Sequence, residues 1–420
     1  MSQTEFVAYV AIDWADQKHD WQLATSDTAP REHGQVLNKP EAVDLWVTGL
    51  LARFPEGLIA VGLEQSRGAL AYQLGKYERL VLFPVHPTTT VSLRQAFYPS
   101  GSKDDPVDAA LVMDLLLHHR HRLRRLDPDT VETRQLRLFV ELRRRLVDER
   151  TRNSNRLTAW LKLYFPQALD WIDDIDSSLG CDFLERWPTL EQLQRAQSQT
   201  VERFFREHNS RSQARIEERV EAIRKALPAV HDTALLRAGA ASTTSLIAVL
   251  KALNTSIASL DQDIAAQLSH HPELDLFAGL AGAGPVLLPR LIVAFGTQRD
   301  RFQSAAELAA YSGIAPVTKK SGKSQSVHFR LACPMFLRQT FHEFAAHSIP
   351  GSPWAKEYYQ QQRGRGAGHN AAVRSLAFKW IRVLYRCWKD RTPYDEKRYL
   401  EALKRRKTSK SASAAGCKDD

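Results

Sequence analysis

Acidic residues stand at separated points of the chain where a carboxylate could bind a metal ion. Asp13 ends the apolar run in YVAIDWAD, and Glu64 ends the run in LIAVGLEQS. If these two runs are neighbouring strands, their carboxylates approach each other at one edge of the sheet, although each could also be a solvated strand end. Whether Asp13 and Glu64 can share a metal ion therefore depends on whether their strands are neighbours in the sheet.

A second acidic pair lies in SKDDPVDAALVMD, where Asp105 and Asp108 are three residues apart and share a face of a predicted helix. Pro106 suits the first helical position, which makes Asp105 an N-cap that contributes about 1 kcal/mol. Asp108 is then the favoured acid of the first turn, and Asp104 has no assigned role. By itself this stretch indicates a well-capped helix start.

Convergence of all four acids would change that interpretation. Two carboxylates about 4 Å apart repel by roughly 4 kcal/mol at an effective dielectric constant of about 20, which capping does not offset. Such a cluster requires divalent cations or protonation. Ligation by oxygen alone suits Mg²⁺ or Mn²⁺, and two such ions could bind the oxygens of a phosphodiester during displacement.

The bulk composition indicates an anionic partner. The 420 residues include 58 Lys and Arg against 48 Asp and Glu, a net charge of +10, which favours nucleic acid. The cysteines are far apart with no CxxC pair, so a disulfide framework or a cysteine zinc site is not expected; they are Cys181, Cys333, Cys387 and Cys417. We expect a cytoplasmic protein, because the sequence shows no signal peptide and no apolar run long enough to span a bilayer.

Strand and helix signals alternate over the first part of the chain. FVAYVAIDW, HDWQLATS and REHGQVLN predict three strands, followed by a helix, the strand GLIAVGLE, a helix in GALAYQLGKYERL, the strand LVLFPVHP and a helix from SKDD onward. This order predicts an α/β ribonuclease-H-like domain over residues 1–132.

The remainder of the chain is predicted to be mainly helical. Two long amphipathic segments flank a helical insert at about residues 167–244, and they predict either an antiparallel coiled coil over residues 133–271 or an ordinary helical subdomain. A mainly α third domain is expected over residues 272–396, followed by a basic disordered tail at 397–420.

Several separated motifs together resemble a known family. AIDWADQKHD, VGLEQS and SKDDPVDAALV follow the order of a RuvC-like DEDD domain. LAGLAGAGPVLLPRLIVAFG, RFQSAAELAAYSGIAPVTKKSGK and TPYD resemble the C-terminal domain of DEDD-type insertion-sequence transposases, the family whose recombinases are guided by a bridge RNA. The resemblance covers roughly residues 5–165 and 272–396.

The resemblance implies a composite active site. Asp13, Glu64, Asp105 and Asp108 would bind Mg²⁺, and a serine of the C-terminal domain would attack a DNA phosphate to give a phosphoserine intermediate. The matching serine is Ser321 in KKSGK. Taken alone, Ser321 could be a turn residue, with Ser324 and Ser326 as competing candidates.

Basic residues around this serine are candidates for binding a nucleic-acid backbone. They are Lys319, Lys320, Lys323 and Arg330, although such a charge run is more often only a solvated face. GLAGAGPVLLPRL resembles a helix-hairpin-helix whose glycines would let backbone amides approach a phosphate, and a tight interhelical turn is an equal alternative. His118, His119 and His121 lack matching partners for a zinc site.

Three functions remain open from the sequence. The first is an RNA-guided DNA recombinase that acts on donor and target DNA as a homodimer or homotetramer. The second is a metal-dependent junction nuclease that uses water, with Ser321 structural. The third is a non-enzymatic nucleic-acid-binding protein whose acids are caps and strand ends.

Overall fold

The computed structural model describes residues 6–64, 68–97, 105–208, 212–322, 324–402 and 405, without the side chains of residues 105 and 106. It divides into two compact units, residues 1–128 and 129–420, and each is described by itself.

The first unit is built on a mixed sheet. Its strands are β1 (Phe6–Asp13), β2 (Lys18–Ala24), β3 (Glu32–Leu37), β4 (Leu58–Leu63) and β5 (Leu80–Pro84). The sheet order is β3-β2-β1-β4-β5, with β1, β2 and β3 antiparallel and β1, β4 and β5 parallel. β4 is apolar along its length and almost wholly buried, as expected for a parallel strand covered on both faces. The predicted mixed α/β sheet is therefore confirmed.

Helices cover both faces of this sheet. They are α1 (Pro40–Arg53), α2 (Ala69–Leu74), α3 (Pro87–Phe97) and α4 (Asp105–His119). α4 lies close to β4 because Gly62 has no side chain, and a Cβ there would stand 2.6 Å from Cγ1 of Val112. Gly62 thus sets how near α4 comes to the ends of the parallel strands.

Three details differ from the sequence prediction. The second helix ends at Leu74 instead of continuing to Leu80, because Gly75 and the turns after it break the helix. α3 was not predicted, since its run of threonines has low helix propensity. α4 begins at Asp105, one residue before the predicted first position at Pro106.

The second unit begins with a pair of long helices. α5 (Val131–Tyr164) is followed by the insert helices α6 (Ala168–Trp171), α7 (Ser178–Arg186), α8 (Leu190–Arg195), α9 (Ser198–Glu207) and α10 (Gln213–Lys225), and then by α11 (Thr233–Ser269). α5 and α11 run antiparallel. Thr133 Oγ1 lies 3.0 Å from His271 Nε2 at one end, and Tyr164 OH lies 2.8 Å from Thr243 Oγ1 at the other.

The last part of the unit is mainly helical with a small hairpin. Its elements are α12 (Leu274–Phe277), α13 (Gly284–Phe295), α14 (Ala305–Tyr311), β6 (Val317–Ser321), β7 (Ser324–His328), α15 (Met335–Gly351), α16 (Pro353–Gly364) and α17 (His369–Lys389). The insert packs around one apolar core with the far ends of α5 and α11, and α12–α17 pack around another with their near ends.

The predicted disordered tail is wrong at its start. Residues 396–402 are helical, and the ring of Tyr399 lies 4.9 Å from that of Trp354. The aromatic pair and partly buried Leu400 give this segment enough apolar contact to order it. Residues 403, 404 and 406–420 lie outside the described part.

α11 is the one helix in the described part of the chain with the length and apolar composition of a membrane span. The sequence prediction had recognised no such run. α11 pairs with α5 through polar groups, including Arg143 Nη2 at 3.1 Å from Asp261 Oδ2.

Candidate active site and nucleic-acid interface

Asp13 and Glu64 lie side by side at the carboxyl ends of parallel strands. Ile12 of β1 pairs in register with Leu63 of β4. Asp13 directly follows Ile12, and Glu64 directly follows Leu63. Neighbouring strands are about 4.8 Å apart, so the two backbones present their carboxylates at one edge. Both residues are half-buried. The tertiary structure therefore brings together the two acids that the sequence could place only on separate strands.

Glu64 is held by a residue of α3. Thr90 is buried, and its Oγ1 is in hydrogen-bonding contact with Glu64 Oε1 and 2.8 Å from the carbonyl oxygen of Pro87. Because a hydroxyl has one hydrogen, donation to Glu64 excludes donation to Pro87 at the same moment. Thr90 thus orients the Glu64 carboxylate at the end of β4.

Asp108 is also held by α3. It is only 3% exposed, and its Oδ1 accepts hydrogen bonds from both Nε (2.8 Å) and Nη2 of Arg94. Thr90 and Arg94 are four residues apart, so they share one face of α3. One face of α3 therefore contacts both Glu64 and Asp108.

The run of α4 places Asp108 toward the acidic edge of the sheet. Val112 and Leu116 both lie against Gly62, and Leu116 shares a cluster with Ala60 and the start of β1. α4 therefore runs opposite to β4, and Asp108, one turn before Val112, lies toward the strand ends. The side chain of Asp105 lies outside the described residues.

Within the described residues, no three His, Cys, Asp or Glu side chains form a group that could hold a metal ion. Asp13 and Glu64 nevertheless fit a hard cation, since both offer oxygen from adjacent positions. Asp108 offers oxygen too, but its Oδ1 is bound to Arg94. Asp20, opposite Asp13 on β2, instead accepts a 2.9 Å hydrogen bond from Gln35.

The candidate nucleophile Ser321 is the last residue of β6, at the tip of an exposed hairpin. It pairs in register with Ser324 of β7. Directly paired residues of an antiparallel ladder project to the same face. Ser326 and His328 are therefore on the face of Ser321, and Ser326 Oγ lies 2.9 Å from His328 Nε2.

The predicted basic residues divide between the two faces of the hairpin. Lys319 pairs with Ser326 and shares the serine face, whereas Lys320 pairs with Gln325 on the opposite face. Both lysines are exposed. Lys323 lies outside the described residues. Arg330, just after β7, is half-buried, and its Nε donates to the carbonyl oxygen of Ala315 at 3.4 Å.

Two further arginines, which the sequence analysis did not single out, stand beside this hairpin. The guanidinium of Arg338 on α15 lies 4.8 Å from the ring centre of Phe329, and that of Arg374 on α17 lies 4.3 Å from it. In the described part of the chain, no carboxylate pairs with Arg330, Arg338 or Arg374. We call Phe329 with these three arginines the basic cluster.

The electrostatics of the basic cluster favour an anion. Burial lowers the pKa of the Arg374 guanidinium, and the positive charge of Arg338 lowers it further. Two cations held around one ring without a nearby acid repel each other, and a phosphate would relieve that repulsion. No sequence signal reveals the cluster, because its residues come from three elements separated along the chain.

The glycine-rich turn before α13 has a packing role at one position. A Cβ on Gly282 would stand 2.3 Å from the carbonyl oxygen of His347, and the φ of Gly282 is +83°. Glycine is therefore needed for the turn to lie on α15. Gly284, by contrast, has open space around it.

Comparison with known proteins supplies the family. A sequence model of DEDD transposases of the IS110 type matches residues 10–166, and a model described as the transposase IS116/IS110/IS902 family matches residues 274–360. The two matches together cover more than half of the chain and fall in both units. They define an insertion-sequence transposase.

Relatives extend the similarity along the whole chain. A mini-circle protein of Streptomyces coelicolor, ascribed to IS117 as its transposase, is 27% identical over 96% of this chain and 99% of its own length. A 42 kDa protein of insertion element IS900 from Mycobacterium paratuberculosis is 26% identical over 92% of this chain and 96% of its own length. A pilin gene-inverting protein of Moraxella bovis is 27% identical over 34% of this chain and 46% of its own length. The chain belongs to the IS110-type family of DEDD transposases and is a DNA transposase.

Proposed function

We propose that this transposase cuts and exchanges DNA strands with a composite site, in which acids of the first unit and a serine of the second act on one phosphodiester. The observation that carries the proposal is the adjacency of Asp13 and Glu64 at the ends of parallel strands. Together with the chain order of the acids, it supports a RuvC-like fold for the first unit. We also propose domain limits at residues 132, 271 and 396.

Asp13, Glu64, Asp105 and Asp108 would hold Mg²⁺ or Mn²⁺. When bound, such ions supply positive charge to the oxygens of a phosphodiester during displacement. The chain itself contributes orientation. Thr90 directs Glu64, and the approach of α4 over Gly62 fixes the height of Asp108 above the strand ends.

Ser321 is the proposed nucleophile. Its Oγ loses a proton and bonds to a DNA phosphorus, while the bond from that phosphorus to a deoxyribose oxygen breaks and the released oxygen takes a proton. One phosphodiester is exchanged for another, so the strand can later be rejoined without an energy source. Ser326 is the second candidate, because His328 stands beside its hydroxyl as a possible base.

Donor DNA, target DNA and a guide bridge RNA are the proposed partners. The net charge of +10 and the basic cluster support polyanion binding. A relative named for inverting pilin genes supports DNA rearrangement as the outcome. We further propose a cytoplasmic homodimer or homotetramer in which one subunit's serine meets another's acids.

The proposal is tested by recovering RNA that copurifies with the full chain, sequencing it, and assaying DNA exchange with that RNA. We expect exchange products with Mg²⁺ and none with a chelator. Strand cutting without a covalent protein–DNA species would instead support the junction nuclease that uses water. Binding with no Mg²⁺-dependent cutting would support a non-enzymatic nucleic-acid-binding protein.

The basic cluster yields a separate prediction. Arg338→Gln and Arg374→Gln should each weaken DNA binding to a similar extent for unrelated sequences. Each should also reduce the slope of log K against log salt by about 0.9, the value for one lost phosphate contact. The measurement is a salt titration of fluorescence anisotropy with labelled duplex DNA.

The matched control for these variants is Arg382→Gln. Arg382 is exposed on the same helix as Arg374 and lies outside the cluster. It should leave the slope close to that of the unaltered protein. An unchanged slope in both Arg338→Gln and Arg374→Gln would show that the basic cluster does not contact the DNA backbone.

A further inference from the structure

The contact between Arg94 and Asp108 raises a question about the proposed metal site. The Asp108 side chain is almost fully buried, at 5% exposed, and that of Arg94 is largely buried, at 16% exposed. Both nitrogen donors of Arg94 approach the same oxygen, Oδ1. A carboxylate bound in this way has its charge partly neutralised and one oxygen engaged, so it attracts a divalent cation less strongly than an unpaired carboxylate does.

From this geometry we propose that Arg94 is the counter-ion of Asp108 in the metal-free protein and that a divalent cation displaces it. The inference rests on the proposed metal site. Asp108 without Arg94 would be a buried, unpaired charge near the edge that carries Asp13 and Glu64. An ionised Asp108 carboxylate at this buried position therefore needs a positive group beside it, first the guanidinium and then the cation.

Electrostatic repulsion prevents the Arg94 guanidinium and a divalent cation from binding Asp108 at the same time. A divalent ion on Asp108 would stand within a few ångströms of the Arg94 guanidinium, in a region with little solvent to screen them. Arg94 is thus a positioning residue that holds Asp108 at the site until the metal arrives. Thr90, one turn earlier on the same helix face, does the same for Glu64 through a neutral hydroxyl that can remain in place.

The experiment compares Mn²⁺ binding by the full-length protein and by Arg94→Gln. Free Mn²⁺ is measured by its electron paramagnetic resonance signal. Because the competing charge-assisted hydrogen bonds are lost, Arg94→Gln should bind Mn²⁺ about tenfold more tightly. Its melting temperature without metal should fall, and Mn²⁺ should raise it more than in the unaltered protein.

Arg31→Gln is the matched control. Arg31 forms an ion pair with Asp114 on the same helix as Asp108, but these side chains are 34% and 46% exposed. Its Mn²⁺ affinity should match that of the unaltered protein. If Arg94→Gln does not fold, Arg94→Lys keeps the charge without the two-nitrogen contact and should still bind Mn²⁺ more tightly than the unaltered protein.

The outcomes separate two failures. Mn²⁺ affinity that is unchanged or weaker in the Arg94 variants would overturn the displacement, because a supporting residue of the loaded site gives that result. Loss of Mn²⁺ binding in Asp13→Asn together with unchanged affinity in the Arg94 variants would leave the metal site standing. Absence of any Mn²⁺ binding that depends on Asp13 would overturn both proposals.

Discussion

Asp13→Asn is expected to lower DNA exchange by about a thousandfold or more. The substitution keeps the size of the side chain but removes the negative charge at the end of β1, beside Glu64. A metal ligand at a reacting phosphodiester supports several kcal/mol of transition-state stabilisation, and each 1.36 kcal/mol is tenfold in rate. The measurement is the initial rate of product formation with the copurifying RNA and Mg²⁺.

Asp16→Asn is the control for this substitution. Asp16 follows β1 by three residues, is exposed, and lies beyond the strand end. It should keep nearly full exchange, and both variants should melt at a temperature close to that of the unaltered protein. Normal exchange by folded Asp13→Asn would exclude a metal site at this edge, and the acid would then be an ordinary solvated strand end.

Ser321→Ala is expected to remove the covalent protein–DNA species entirely. An alanine has no oxygen to bond to phosphorus, so the proposed step cannot take place at this position. Ser321 lies on the surface, so the substitution should leave folding unchanged. The assay is a denaturing gel of protein incubated with labelled DNA, followed by mass spectrometry of the attached peptide.

Ser324→Ala and Ser326→Ala are the matched variants, since both serines share the face of Ser321 on the same hairpin. Both should retain the adduct. An adduct that persists in Ser321→Ala and disappears in Ser326→Ala would transfer the role to the serine beside His328. No adduct in any variant or in the unaltered protein would favour attack by water.

Much of the first unit could be predicted from sequence because its strands are strongly apolar. The runs ending at Asp13 and Glu64 have the composition of buried strands, and their order along the chain predicted the mixed sheet. α3 escaped prediction because PTTTVSLRQAF has weak intrinsic helix preference. Packing of Leu93 against α4 and its neighbours helps to make it helical.

The omission of α3 had a consequence for the site. Thr90 and Arg94 carry no motif, yet they hold Glu64 and Asp108. The basic cluster could not be predicted from the sequence for a related reason, since Phe329, Arg338 and Arg374 lie on three separate segments. Contacts between elements far apart in sequence leave no local pattern to read.

The sequence by itself determined the residue types of the chemistry: oxygen-bearing acids in a set order, a serine between lysines, and a positive net charge. Only the tertiary structure decided which of them meet. Strand pairing placed Asp13 beside Glu64, and α3 supplied Asp108 with a counter-ion. The physical reason is that ligation and charge pairing depend on distances of a few ångströms, and folding sets those distances across tens of residues of chain.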